Sequence, residues 1–597
     1  MACQRKGLSR RQGGIIICRE IFFENLSKKP CILEKDVLYI NIIAMNKSVR
    51  QRHLSNDQDG QSAADWQTMI GRRTAMMKQM IKSNTKFLLF TVTVVIMNAL
   101  LVMSVPIYIN EQLKSSPVFE IYHMMILFAV ISITFLCQLV LTYIRESYAV
   151  KFNQNNSLLF YEMMYQMKYE ALIEKQPAYL IDRISMLVNS LYLFFVTSFT
   201  TISSSIILAV FSVIVAVSVH PVIGVVLTVN IPINLFGYRA LNKKLETKCE
   251  KMQNDTAAGY KEIIGIYKNV DFVKKQGDFN RIRKVIDLPM FRIFNSTADV
   301  NKFAQTSSAF LRYVNNLIQN IVIVFVSIQA MNHNDYASLV MVSIVLPLYF
   351  SSLNSLVSTN LEISGLKTNM DFVKNELKLN RESTNGKDIT SIHHIRMDID
   401  GIIVGGQKLN IAAHDTFSKG DVVLVKGKSG IGKSILMKSL LRFYDSASIY
   451  MDNINLSQIN PISLRKRITF VPQDAPIYSM SLKDNMELSH ETNDGSLDAL
   501  RQKIMEPVLI HKKPETIILE NGANLSGGEK QRISLCREMS QMTDILILDE
   551  STSSIDHENS QAILGEIVKS NRDKIIFIIT HDEGLNLEHT KELILSR

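Results

Sequence analysis

Val422-Val423-Leu424-Val425-Lys426-Gly427-Lys428-Ser429-Gly430-Ile431-Gly432-Lys433-Ser434 is the stretch that decides the C-terminal half of this 597-residue chain. Its four apolar residues, three of them valine, read as a short strand buried on both faces. Glycines at 427, 430 and 432 let the backbone curl so that successive N–H groups face an anion. The run Ile435 to Phe443 then reads as a helix whose N-terminus adds positive potential. Strand, glycine loop and helix in that order form a P-loop. Gly427, Lys428, Ser429, Gly430, Ile431 and Gly432 cradle phosphate, Lys433 reaches the β- and γ-phosphates, and the Ser434 hydroxyl ligates Mg²⁺.

Working outward, Ile545-Leu546-Ile547-Leu548-Asp549-Glu550 is a second buried strand that ends in two carboxylates. A carboxylate at a strand end opposite a P-loop is placed to hold the metal, which gives Asp549 that role. Glu550 is then free to polarise an attacking water as general base. A third strand, Ile575 to Thr580, delivers His581, which can hydrogen-bond the γ-phosphate or fix the geometry of Glu550 and its water. Leu525-Ser526-Gly527-Gly528-Glu529-Lys530-Gln531-Arg532 opens another helix with small residues and suits a second phosphate contact. Two cradles per chain imply two chains per pair of nucleotides.

The N-terminal half obeys a different solvent. A bilayer core needs roughly 20 apolar residues per helix, and charge-free windows of that length recur at 87–109, 121–144, 313–334 and 336–361. No Asp, Glu, Lys or Arg occurs from Ile184 to Tyr238, enough for spans at 187–217 and 220–238 turned at Val219-His220-Pro221. Arg72, Arg73, Lys78, Lys82 and Lys86 precede the first span, while the short loops at 110–120, 218–222 and 331–335 hold one Lys or Arg, Lys114. The positive-inside rule therefore puts the N-terminus, the long loops 145–184 and 239–312, and the C-terminal domain on the cytosolic or equivalent side. Those long loops are charged, rich in helix formers and poor in glycine, so they read as helical rods projecting from the bilayer. Polar residues within the spans, such as Asn230, Asn234, Asn315 and Gln319, should face the bundle interior or a water-filled cavity.

The expected domains are a tail at 1–70, the spans within 71–378, a linker at 379–390 and an α/β domain at 391–597. The net charge of +10 would suit nucleic acid or an anionic membrane surface. Because the cations cluster beside the spans, the membrane is the expected partner and nucleic acid is not. The tail carries Arg5, Lys6, Arg10 and Arg11 and no acid in its first fourteen residues, weakly like a mitochondrial presequence, although a plain disordered tail or a start at Met45 fits as well. The six cysteines show neither metal spacing nor a disulfide framework.

Together these residues resemble the ATP-binding-cassette (ABC) ATPase set. Walker A is 427–434, the Q-loop glutamine is Gln473 in Val471-Pro472-Gln473-Asp474, and the signature is 525–532. Walker B is 545–550, the D-loop Ser553-Ser554-Ile555-Asp556, and the H-loop histidine His581. With six spans ahead, the chain resembles an exporter half-transporter from Gly71 to Arg597, by architecture alone before residue 400. The resemblance implies an all-α six-helix transmembrane domain followed by an α/β P-loop ABC nucleotide-binding domain, and an ATPase that uses ATP and Mg²⁺. It implies a dimer with a second half-transporter, expected to be an identical copy, in which Walker A of one subunit closes on the signature residues Ser526, Gly527 and Gly528 of the other, and it makes Asp556 of the D-loop a further nucleotide contact. It also makes Gln473 both a Mg²⁺ contact and a catalytic sensor toward the membrane helices, and likens Glu520 to the acidic residue of the exporter-specific loop.

One position departs from the family. The aromatic that stacks on adenine aligns with Val404, and by analogy with base–aromatic stacking its loss weakens ATP binding by ~1–3 kcal/mol. Arg442-Phe443-Tyr444-Asp445, Val471 to Asp474, Glu529 and Leu346-Pro347-Leu348-Tyr349-Phe350 are similar to mitochondrial half-transporters that export glutathione-linked sulfur compounds. That likeness implies a multi-pass protein of a mitochondrial or mitosomal inner membrane. Lipid, peptide and multidrug half-transporters remain open, as does a non-transport ABC ATPase. Arg239, Lys243 and Lys244 sit where they can meet an anionic thiol-peptide, but charge anchoring at the membrane is the preferred explanation.

Overall fold

Lipid offers no partner to backbone N–H and C=O groups, so a spanning segment must close its hydrogen bonds internally. The computed structural model, which describes residues 82, 84–115, 120–268, 270–444, 448–488, 498–539, 543–581, 584 and 586–596, does so with helices. Among the described residues, six are long and apolar enough to cross a membrane. They are α1 (Thr85–Ser115), α2 (Ile121–Tyr165), α4 (Pro177–Val219), α5 (Pro221–Tyr267), α6 (Phe279–His333) and α7 (Tyr336–Lys378), with a short helix α3 (Tyr169–Lys175) between α2 and α4. The tail 1–70 and the cations Arg72, Arg73 and Lys78 lie outside the described residues.

The turns follow from capping chemistry. Between α4 and α5, His220 Nδ1 accepts the N–H of Val222 at 3.3 Å, and Pro221 starts the next helix where no N–H is needed. Between α6 and α7, Asn334 takes the left-handed cap position (φ 54°), and Asp335 accepts from the N–H of Ser338 at 3.1 Å. In both cases two or fewer residues turn the chain, which is all a hairpin of adjacent spans requires.

Helices α2, α5 and α6 run well past their charge-free windows, so the long inward loops are continuous with the spans. Polar contacts tie these rods together beyond the charge-free windows. Arg183, buried on α4, donates from Nη1 to Gln253 Oε1 of α5 at 2.8 Å and lies 4.8 Å from the ring centre of Phe372 on α7. Gln253 in turn donates to the carbonyl of Gly365 at 3.2 Å. Within the spans, Asn230 and Asn234 of α5 meet Asn315 of α6 at 3.3 and 3.0 Å, and Asn315 donates to Asn354 of α7 at 3.1 Å. These amides find partners in the bundle, whereas Asn316 and Asn320 stay exposed on the single chain rather than facing its interior.

The C-terminal domain is built on two sheets. One is a five-stranded parallel sheet in the order β11-β5-β10-β9-β8, where β5 is Val422–Lys426, β8 Ile468–Val471, β9 Ile545–Asp549, β10 Ile575–Ile579 and β11 Lys591–Ile594. Every residue of β9 and β10 is buried, as expected when helices cover both faces. The other is a four-stranded antiparallel sheet, β4-β1-β6-β7, formed by Ala413–Ser418, His394–Ile399, Ile449–Met451 and Ile454–Asn455. A separate hairpin pairs β2 (Ile402–Val404) with β3 (Gln407–Leu409). Ligands of open α/β sheets sit beyond the carboxyl ends of the parallel strands, and there lie Gly427, Gln473, Glu550 and His581, following β5, β8, β9 and β10. Treating native membranes with alkaline carbonate should leave the full chain in the pellet, and its release into the supernatant would contradict the six spans.

Candidate ATP site

The P-loop joins β5 to α8 (Lys433–Leu440). Gly432 caps that helix at φ 111°, and a Cβ there would lie 2.4 Å from Ile411 Cδ1 and 3.1 Å from Leu409 Cδ2, so only glycine fits both the backbone and the space. Lys428, Ser429 and Gly430 are exposed, leaving the loop open to a ligand, while Ile431 is anchored in the core. Lys433, only 7% exposed, donates from Nζ to the carbonyl of Gly427 at 2.9 Å. Its ammonium is thus already folded over the cradle. The Ser434 hydroxyl donates to Asp549 Oδ1 at 3.0 Å, joining the loop to the end of β9.

Asp549 is 3% exposed. Burial raises its carboxyl above the ordinary range and the neighbouring Glu550 charge adds to this, with the Ser434 hydrogen bond opposing. Ser434 and Asp549 supply hard oxygen donors side by side, the donor type magnesium takes when phosphate and water complete its shell. Among the described residues no group of three or more His, Cys, Asp or Glu has the spacing of a protein-only metal site. Ser434 and Asp549 fit a Mg²⁺ that arrives with nucleotide.

Glu550 adopts φ 49°, the left-handed region, held by its N–H bond to the Ile579 carbonyl at 3.0 Å. That turn aims its carboxylate between two partners. Oε2 accepts from Gln473 Nε2 at 2.6 Å, and Oε1 lies 2.8 Å from His581 Nε2. The structure thus brings together Lys433, Ser434, Asp549, Glu550, Gln473 and His581.

The signature residues stand apart from this cluster in their contacts. Ser526 caps α9 (Gly527–Glu538) in a capping box, its hydroxyl accepting from the Glu529 N–H at 3.2 Å and its own N–H donating to Glu529 Oε2 at 2.7 Å. Burial alone would raise the Glu529 carboxyl, but hydrogen bonds from Lys512 and Ser526 outweigh it and hold the group low. Cβ atoms on Gly527 and Gly528 would lie 3.1 Å from Ser554 Cβ and 3.0 Å from its carbonyl oxygen. Gln531, buried on the same helix, donates to Ser553 Oγ at 2.9 Å and accepts the Ser554 N–H at 2.7 Å, so signature and D-loop form one unit. Asp556 caps α10 (His557–Ser570), accepting from the Asn559 N–H at 3.2 Å, and those Asn559 bonds keep its carboxyl low. Within one chain, then, Asp556 has a capping role.

This geometry can be set beside known proteins. The segment 413–553 matches the ABC transporter family. Residues 413–553 are an ABC transporter domain. The chain is 32% identical over 230 residues to the mouse protein "ATP-binding cassette sub-family B member 6", covering 36% of this chain and 27% of that protein. It is 39% identical over 184 residues to "ABC transporter ATM1" of Plasmodium falciparum, covering 29% and 17% respectively. The match therefore spans about a quarter or less of these curated relatives. The fold matches "Structure of a bacterial Atm1-family ABC exporter with ATP bound" with a TM-score of 0.75, over 86% of this chain and 94% of that one, at 15% identity. An ABC transporter domain binds ATP, and here it follows six apolar helices in a fold like that of the bacterial structure.

Several residues that matter to the domain carried no signal of their own. Arg465 pairs with Glu382 of the linker through two bonds of 2.8 and 2.6 Å, lies 4.9 Å from the ring centre of Phe443, and donates from Nε to the Leu441 carbonyl at 3.0 Å. Phe443 and Tyr444 stood out only as marks of a subfamily, and only the adjacent β8 pattern would have drawn notice to Arg465. Asp445 lies outside the described residues. Val404 sits against the domain core at the turn of the β2–β3 hairpin.

Because Asp549 is raised in the folded state, its cost to stability is absent below the unfolded carboxylate pKa, grows as pH rises toward the folded one, and is fully present only above the folded one. Asp549→Asn should therefore raise the nucleotide-free thermal midpoint at pH 7, by about 2–4 °C per kcal/mol relieved, and abolish the further rise on adding Mg²⁺ with ATP. An unchanged midpoint together with a retained Mg²⁺ response would contradict the assignment.

Proposed function

We propose that the chain is one half of an ATP-hydrolysing exporter that works as a homodimer in a membrane. The observation that carries this is the clamp on Glu550: a general-base carboxylate fixed between Gln473 and His581, one residue from the metal-side Asp549, in a chain that also holds six spans. Gly427 to Gly432 bind the phosphates through backbone N–H groups, and Lys433 leaves the Gly427 carbonyl to pair with them. Ser434 and Asp549 would hold Mg²⁺, which neutralises charge developing on the phosphate oxygens. Gln473 shifts from Glu550 toward the metal side, which frees Oε2 to accept the proton of the attacking water, while His581 keeps the carboxylate oriented. Ser526, Gly527 and Gly528 complete the site from the second copy, with Asp556 and the D-loop alongside.

The export cargo we propose is a glutathione-linked sulfur compound, moved across a mitochondrial or mitosomal inner membrane. Its support is the likeness to Atm1-family and ATM1 proteins together with two cavities between the spans that share Arg312 and Ser358. One, of about 140 Å³, adds Tyr238, Gln305, Ser308 and Asn360, and the other, of about 420 Å³, adds Gln319, Asn354 and Ser355. A guanidinium among amides and hydroxyls suits carboxylates and peptide groups rather than a lipid tail. Arg239, Lys243 and Lys244 do not line either cavity, and Lys244 instead lies 5.2 Å from the Phe303 ring centre.

Glu550→Gln should lower ATP turnover by about 10²–10⁴-fold while ATP then traps the purified protein as a dimer. Wild-type turnover in that variant would refute the general-base role. With purified protein in lipid, oxidised glutathione or glutathione persulfide should stimulate ATPase activity and Arg312→Ala should abolish the stimulation. Stimulation by lipids alone would overturn the cargo.

A further inference from the structure

The signature turn carries an acid of its own. Glu529 is the third residue of α9 and closes the capping box, so its Oε2 takes the Ser526 N–H, one of the backbone donors left over at a helix start. A carboxylate in that position suits the helix dipole, but it opposes a second anion arriving at the same end. The N–H groups of Gly527 and Gly528 and the proton of the Ser526 hydroxyl, whose oxygen already accepts from the Glu529 N–H, are what remain to meet a phosphate. They would do so beside a negative charge.

Lys512 answers that charge. Its Nζ donates to Glu529 Oε1, the oxygen that the capping box does not use, and both side chains are only 20% exposed. The two carboxylate oxygens thus have separate partners, a backbone N–H on one and an ammonium on the other. Burial pushes the Glu529 carboxyl up, and the bonds from Lys512 and Ser526 outweigh it, so the group stays an anion that is paired rather than protonated. The segment that delivers Lys512 is fixed on both sides. Before it, the helix Asp498–Leu509 is tied to α9 by Arg532, which donates from Nη1 to the Ile504 carbonyl at 3.1 Å, and the Lys512 N–H donates to the Val508 carbonyl at 2.9 Å. After it, the N–H groups of Lys483 and Leu482 donate to the carbonyls of Pro514 and Thr516, both at 2.9 Å. The lysine therefore reaches its partner from an ordered backbone.

We propose that Lys512 is a positioning residue for the signature: by pairing with Glu529 it keeps the capping carboxylate seated on Ser526 and cancels its charge, so that the first turn of α9 can take the nucleotide phosphates held by a second copy. This rests on the two-copy ATP site proposed above. Lys512 touches no phosphate in this arrangement and acts through Glu529. Without it, the carboxylate keeps a full charge beside an incoming polyanion, in a partly buried setting where salt screens poorly, or swings off Ser526 and loosens the turn. Either change weakens closure on the far side of the nucleotide and leaves Lys433 and Ser434 of the P-loop as they are.

The test uses the full chain in lipid nanodiscs with radiolabelled ATP and Mg²⁺, at a temperature where every variant is folded. In the Glu550→Gln chain, which holds ATP without splitting it, Lys512→Met should shorten the lifetime of retained ATP about three- to tenfold, the scale of one charge-assisted hydrogen bond. With Glu550 intact, the same substitution should raise the KM for ATP by a similar factor and change kcat less. Lys512→Arg keeps a charged donor and should stay within about twofold of the parent. Repeating Lys512→Met in a Glu529→Gln background should add no more than about twofold, because a neutral amide leaves no charge to cancel. An unshortened lifetime in Lys512→Met, or the same loss in both backgrounds, would overturn the proposal. A Glu550→Gln parent that retains no ATP would instead overturn the two-copy site, and this inference with it.

Discussion

The hydrogen bond between Ser434 and Asp549 is the joint on which the rest of the motor turns. It ties the first residues of α8 to the end of β9, two elements more than a hundred residues apart in sequence, and it does so at the expense of burying a carboxylate. A buried charge is unfavourable unless paired, and the Ser434 hydrogen bond with the charges of Lys438 and Lys433 only partly offsets that cost, since the carboxyl stays raised. Glu550, one residue further, escapes the same burial because its left-handed turn swings it toward Gln473 and His581. One strand end thus provides two carboxylates with different environments and different partners.

The membrane half obeys a separate constraint. Its helices are fixed by the absence of water, and their extensions leave the bilayer as rods bound by Arg183, Gln253 and the Gly365 carbonyl. Those polar contacts let the rods move as a unit. Their purchase on the ABC transporter domain is concentrated where α3 and the linker meet Phe443 and Arg465, close behind the P-loop helix. A change at the phosphates is therefore a short mechanical distance from the spans.

Much of this was legible in the sequence because its physics is local. A strand of valines, a glycine loop and a helix can be read from adjacent residues, and so can a window without charge. The strand ends carrying Asp549 and Glu550 were legible for the same reason. What was not legible depends on contacts between distant segments: Tyr169 on Phe443, Glu382 on Arg465, Gln531 on the D-loop. An arginine or a tyrosine in isolation carries no address. Sequence also spoke poorly about facing, since Asn315 turns into an amide cluster while Asn316, its neighbour, remains exposed. Asp556, implied by family likeness as a nucleotide contact, shows in one chain only its helix-capping work.

In the exporter we propose, closing ATP between two copies moves the spans. The most direct measurement is the distance between spin labels placed at residue 332, near the end of α6, on two copies of the Glu550→Gln chain in nanodiscs, with other cysteines removed. Adding ATP and Mg²⁺ should shift the distance distribution to longer separations as the opposite ends draw together. A distribution that ATP leaves unchanged, in protein shown to bind it, would contradict the account.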